Sequence, residues 1–178
     1  MQLCSFVVTD PALALILGVA VAFTGGQTNS VMIDMNEVPP VVRDAALRAA
    51  GSVKLVDAAQ ETSRHGVVYE LSGCTAEGAK IEVDVYPDGT LQEVQREIGV
   101  TDVPRNMLDV ARANVPNFQP SMVMASHREG PVLSYDMEGE ANGQRYSVEV
   151  WTNHTNIKIE PWLADGSPAS EPRCQVGA

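Results

Sequence analysis

The chain contains an internal repeat, and this repeat restricts its possible folds more than any other feature of the sequence. Val38-Pro39 is matched 65 residues later by Val103-Pro104. Residues 69–73 (YELSG) are matched at a spacing of 66 by residues 135–139 (YDMEG). A nearly constant spacing is typical of a duplicated supersecondary unit, and one inserted loop residue accounts for the change in spacing.

Each copy begins with a helical pattern and continues with strand patterns. Pro39 and Pro104 stand at the first turn of helices predicted over about residues 39–50 and 104–114, where a missing N–H costs no hydrogen bond. Apolar and polar residues then alternate with period two, as in strands with one buried face. Turn residues such as Pro87-Asp88-Gly89 separate these predicted strands.

These patterns predict an α+β fold made of two tandem repeats. Each repeat is expected to hold one helix and a four-stranded antiparallel sheet, with the helices on one face. The predicted units are repeat 1 over residues 36–99, repeat 2 over residues 100–160 and a flexible tail over residues 161–178. Residues 1–26 are predicted to form a signal peptide or an N-terminal anchor.

The N-terminal prediction depends on the apolar run at residues 12–23 (ALALILGVAVAF). A run of this length is shorter than the about 20 residues that span a bilayer, and it suits the apolar region of a secretory signal. Ala20-Val21-Ala22 has the small-x-small pattern of a cleavage site, although no Lys or Arg precedes the run. We therefore expect an extracytoplasmic protein, periplasmic or secreted; the alternatives are an uncleaved anchor, which would be its only membrane contact, and a wrongly assigned start.

The net charge of −11 excludes one class of partner and leaves others open. A field of this sign repels phosphate backbones, and no Lys/Arg cluster reverses it locally, so nucleic acid is not an expected partner. Two cysteines follow the predicted signal, Cys74 and Cys174. In an exported protein they are candidates for a disulfide, and the alternative is a pair of free thiols.

The sequence resembles the PepSY-like domains, a family related to the β-lactamase-inhibitor fold. The resemblance covers residues 38–160 and depends on the Val-Pro helix with Asp-Ala-Ala, on Tyr-Glu-Leu at residues 69–71, on GAKIEVDV at residues 78–85 and on the Asp88-Gly89 turn. It implies a tandem pair of domains with a binding role: inhibition of secreted or periplasmic hydrolases, chaperoning of propeptides, or sensing at the cell envelope.

The sheet surface opposite the helices is the expected binding surface. Its predicted partner-binding residues are an acidic strip with two large aromatic side chains: Glu82, Asp84, Tyr86, Glu149 and Trp151. Aromatic residues flanked by polar ones anchor many protein interfaces. The alternatives are that the two rings cover the sheet edge or pack between the repeats, and that the acidic residues form a solvated face.

Two functions follow from this surface. The favoured one is an exported, non-catalytic binding module that acts as a hydrolase or peptidase inhibitor or as a cell-envelope interaction protein. The alternative is a small-ligand or cation sensor that uses the carboxylates of Glu70, Asp84, Asp136 and Glu149. No cofactor, metal site or catalytic residue is predicted, because His65, His127 and His154 lack metal-ligand spacing and no nucleophile or phosphate-binding motif occurs.

Overall fold

Nine β-strands form a single antiparallel sheet in the part of the chain that the structure describes. The structure is a computed structural model, and it describes residues 29–128, 130–153 and 156–162. The strands follow one another across the sheet in chain order. They are β1 (Asn29–Ile33), β2 (Lys54–Ser63), β3 (Gly66–Cys74), β4 (Lys80–Val85), β5 (Leu91–Ile98), β6 (Gln119–His127), β7 (Val132–Ala141), β8 (Gln144–Trp151) and β9 (Ile157–Pro161).

The prediction of two tandem helix-plus-four-strand repeats is wrong, because the strands of both halves belong to one sheet. β5 pairs with β6, from Val94 opposite His127 to Ile98 opposite Val123. Without this pairing, both strands would present a row of unsatisfied N–H and C=O groups at a sheet edge. The protein is therefore mostly β. The strand β1 was not predicted at all, and it extends the sheet beyond β2.

In the described part of the chain, two α-helices cover one face of this sheet. Helix α1 (Pro40–Ala50) lies between β1 and β2, and α2 (Arg105–Asn114) lies between β5 and β6. Each helix begins one residue later than predicted: Pro39 and Pro104 have extended backbone and precede the first turn, whereas the sequence placed them within it. No helix among the described residues has the length and the apolar composition needed to span a membrane.

Each helix contributes to its own apolar cluster against the sheet. Val42 and Ala46 of α1 pack with Leu71 and Val83, whereas α2 packs with the sheet residues around Met137. Strand alternation dictates this arrangement, since alternate side chains point toward the helices and the intervening ones point away. The face without helices is therefore the only large sheet surface left for a partner within the described residues.

The ends of the chain lie largely outside the described residues. These include the predicted signal peptide or anchor, Cys174 and most of the predicted tail. Pro161 ends β9, and the Trp162 side chain is buried, with the Arg145 guanidinium 3.8 Å from the centre of its ring. The folded body thus continues two residues past the predicted boundary at residue 160.

Candidate functional site

Carboxylates dominate the sheet surface opposite the two helices. Strand register brings together on this surface side chains from β2, β3, β4, β5, β7 and β8. We call this surface the acidic face and define it by Glu61, Glu70, Glu82, Asp84, Glu93, Asp136, Glu138 and Glu149.

Several of these carboxylates are direct cross-strand neighbours. Glu70 of β3 lies opposite Asp84 of β4, and Asp84 lies opposite Glu93 of β5. Asp136 of β7 lies opposite Glu149 of β8. Like charges directly opposite each other destabilise a sheet. The facing carboxylates of the acidic face therefore lower the stability of the sheet.

The acidic face shields some of its own carboxylates from water. Glu82 is only 9% exposed although neither helix covers this side of the sheet. Its carboxylate contacts the Lys80 ammonium, and both side chains are largely buried. The charge of Glu82 also helps to raise the pKa of Asp136 on β7. Neighbouring side chains of the face therefore keep water away from Glu82.

Burial and mutual repulsion make two of these groups unusually weak acids. Burial raises the pKa of Glu70 to about 8, with further contributions from Glu82, Asp84 and Glu61. Burial also raises the pKa of Asp84 to about 8, and Glu93 adds the largest charge effect. The Lys80 ammonium opposes the increase at Glu70 but does not cancel it.

Serine hydroxyls orient the other central carboxylates. Ser126 donates to Glu93 at 2.7 Å, Ser134 donates to Glu149 at 2.8 Å, and Ser147 donates to Asp136 at 2.9 Å. Hydrogen bonds of this kind favour the ionised form of the carboxyl group. Burial nevertheless raises the pKa of Asp136 and that of Glu149, so desolvation outweighs the serine contacts.

Among the described residues, the cationic side chains on this side of the sheet form ion pairs with carboxylates other than Glu70 and Asp84. The Lys80 ammonium lies 2.5 Å from Glu82, and the Arg145 guanidinium lies 3.5 Å from Glu138. Lys158 pairs with Glu160 at 3.0 Å. Among the described residues, Glu70 and Asp84 form no ion pair. The negative charge of the acidic face is thus only partly neutralised.

The structure places all five predicted partner-binding residues on the acidic face. Tyr86 follows β4 and is 36% exposed, while Trp151 ends β8 opposite Ser134 and is half-buried. The alternative interpretation, a solvated acidic face, is wrong for Glu82, which is buried beside Lys80. The prediction also missed Glu61, Glu93 and Gln92 as members or neighbours of the surface.

The alternation of apolar and polar residues along the strands could have identified Glu61 and Glu93 as members of the acidic face. It could not have identified Gln92 as their neighbour. The pairing of β4 with β5 shifts register, so that Asp84 lies opposite Glu93 whereas Val85 lies opposite Leu91. Gln92 is the extra residue of this bulge. A bulge changes the direction of a side chain and depends on the partner strand, which leaves no signal in the local sequence.

Neither described histidine contacts a carboxylate. The His65 ring accepts a hydrogen bond from the Arg64 guanidinium at 3.0 Å, and the His127 ring lies 3.4 Å from the Gly130 carbonyl oxygen. Within the described ranges, no group of three or more His, Cys, Asp or Glu side chains could hold a metal ion. The carboxylates of the acidic face are distributed along several strands and do not meet at one point.

Cys74, at the end of β3, is disulfide-bonded. The other cysteines of the chain, Cys4 and Cys174, lie outside the described residues. The pairing of Cys74 with Cys174 therefore stays a prediction.

Comparisons of the chain with protein-family models and with curated proteins found no match, so the resemblance to PepSY-like domains stays a prediction as well.

Proposed function

We propose that this protein is an exported, non-catalytic binding module, and that its acidic face binds a basic segment of a protein partner. One observation carries the proposal: Glu70, Asp84 and Glu93 are cross-strand neighbours, and none of the three forms an ion pair within the described residues. A fold gains nothing from this arrangement by itself, because repulsion and desolvation both oppose it. Positive charge from a partner would reverse both costs.

The two aromatic residues of the acidic face support a protein partner over a small ion. Tyr86 follows β4 and Trp151 ends β8, and β5, β6 and β7 lie between these two strands, so the two rings border a wide surface and not one small site. Aromatic side chains at such positions often contribute more than about 2 kcal/mol to a protein interface. Hydrolase inhibition, which the PepSY-like resemblance implies, would be one use of such a surface.

Export is supported by two separate features. The apolar run at residues 12–23 suits a secretory signal, although it lies outside the described residues. Cys74 is disulfide-bonded, and disulfides persist mainly in oxidising compartments. The cation-sensor alternative gains no comparable support, because the described carboxylates form no group suited to a metal ion.

Binding to a basic peptide tests the proposal directly. We expect the purified chain to bind a fluorescent peptide of alternating arginine and serine, as measured by fluorescence anisotropy, but not the analogue with glutamate in place of arginine. Replacing Asp136 by Asn together with Glu149 by Gln should weaken binding at least about tenfold. Affinity should also fall between about 0.01 M and 0.15 M salt, because screening shortens the reach of exposed charges.

A matched control separates this surface from net charge. Asp44 and Asp109 are exposed on the two helices, on the other side of the sheet, and their double replacement by Asn changes the net charge equally. This control should bind the peptide as the natural sequence does. Equal weakening in both double variants, or no binding at low salt, would contradict the proposed function.

A further inference from the structure

A cavity of about 390 Å³ opens at one end of the acidic face. It lies between the β2–β3 hairpin, the end of β4 and the beginning of β5. Its lining combines acidic, amide and aromatic side chains with the hairpin backbone: Glu61, Ser63, His65, Gly66, Val68, Asp84, Tyr86 and Gln92. Its volume lies within the range of small-ligand sites, which is about 300–1,000 Å³.

Two residues of this lining hold buried acceptor atoms without a partner. Asp84 Oδ1 and Gln92 Oε1 are both buried, and neither accepts a hydrogen bond within the described residues. Arg128 approaches from β6 but donates to the Gln92 main-chain carbonyl at 2.7 Å, so it leaves the side-chain oxygen unsatisfied. An orphaned buried acceptor costs about 1–3 kcal/mol, and a donor from a ligand would remove that cost.

The surroundings of these acceptors favour a positively charged donor. Carboxylates from several strands face Asp84: Glu61 from β2, Glu70 from β3, Glu82 from β4 and Glu93 from β5. Tyr86 adds an aromatic side chain to the wall, and cations bind the faces of such rings. The bulge in β5 places Gln92 in the same lining, so an amide oxygen and a carboxyl oxygen border one space.

We propose that this cavity binds the guanidinium group of an arginine and anchors the basic segment of the partner. The inference rests on the proposed function and names its central contact. A guanidinium presents five N–H donors in a planar fork, so one group can satisfy two acceptors on different strands while it stacks on an aromatic ring. An ammonium ion is more strongly hydrated and lacks that planar shape.

Nuclear magnetic resonance titration with N-acetyl-argininamide tests the inference on the full chain. We expect the largest chemical-shift changes at the side-chain amide of Gln92 and at the backbone amides of His65 and Tyr86. N-acetyl-lysinamide should bind more weakly, and the uncharged citrulline analogue should not bind. Asp84→Asn should weaken binding of N-acetyl-argininamide at least about tenfold, because it removes the carboxyl group that pairs with the guanidinium when the carboxyl loses its proton.

Asp44→Asn is the matched control, since it makes the same chemical change on an exposed position of α1. It should leave the titration unchanged. Three results would each overturn the inference. They are the absence of chemical-shift changes at the cavity residues, an unchanged affinity in Asp84→Asn, and equal binding of the lysine and arginine probes.

The arginine-serine peptide separates this inference from the proposed function. If the natural sequence and Asp84→Asn bind the peptide equally, the acidic face binds basic segments but the cavity is not their anchor. If the peptide fails to bind while N-acetyl-argininamide still shifts Gln92, the cavity is a guanidinium site and the proposed function is wrong.

Discussion

We expect the free energy of unfolding to rise by about 3 kcal/mol when the pH falls from about 7.5 to about 5.5. Glu70 and Asp84 have a pKa of about 8 in the folded protein, against ordinary values of 4.5 and 3.8. Within this window the folded state therefore holds protons that the unfolded state has lost. Each extra proton adds about 1.4 kcal/mol of stability per pH unit of acidification.

The stated size corresponds to one extra proton, because Glu70 and Asp84 are cross-strand neighbours and titrate as a coupled pair. The stabilisation should be lost as the pH rises toward 8. Below about pH 4 it should stop growing, because the carboxyl groups are then protonated in both states. Urea denaturation at a series of pH values measures the effect.

The variant Asp84→Asn identifies the source of this dependence. We expect it to be more stable than the natural sequence at about pH 7.5, by about 2 kcal/mol, and to show a shallower dependence on pH. Asp44→Asn, on the exposed side of α1, should change neither property. A natural sequence that becomes more stable as the pH rises through this window would contradict the buried-carboxylate account of the acidic face.

The second large effect is expected from Gly139→Ala, which should lower the free energy of unfolding by about 3 kcal/mol. A Cβ atom at this position would lie 2.3 Å from the Gln119 carbonyl oxygen and 2.7 Å from the Pro120 Cα atom. Both are main-chain atoms of the paired strand, so no side-chain rotation can relieve the clash. The pairing of β6 with β7 shifts register beside this residue, between Pro120 and Met122.

Gly143→Ala is the control for this prediction. Gly143 has a φ of 80°, but a Cβ atom there would have no neighbour within 4 Å. Its replacement should cost only about 1 kcal/mol, from the left-handed backbone alone. Thermal or urea denaturation of the two variants compares them. Equal losses would show that close strand approach is not the reason for glycine at residue 139.

Gly73 occupies the corresponding position in the first half of the chain. A Cβ atom there would meet the Lys54 carbonyl oxygen, again beside a register shift, between Leu55 and Asp57. The sequence showed that residues 69–73 and 135–139 are alike, but it gave no reason for the shared glycine. The reason is a close backbone approach at a bulge, and this requires knowing which strand lies alongside.

The composition of the acidic face could be predicted in part. Alternation places Glu82 and Asp84 on the side of β4 away from Val83, because the pleat turns successive side chains to opposite faces. The same rule places Glu149 on the side of β8 away from Val148 and Val150. It could not predict that Glu82 would be buried or that Asp84 would hold a proton near neutral pH. Those properties depend on burial and on charged neighbours, most of them from other strands.

Local pattern alone determined, to within one residue, where the two helices begin, and it determined which strand residues face them, because helix starts and strand pleats depend on residues close together in the chain. Tertiary structure decided that β5 pairs with β6, so that the expected two sheets are one. It also decided that Glu82 is buried on the acidic face and that Gln92 shares a cavity with Asp84. These features depend on contacts between distant residues, whose hydrogen bonds and charges no local pattern specifies.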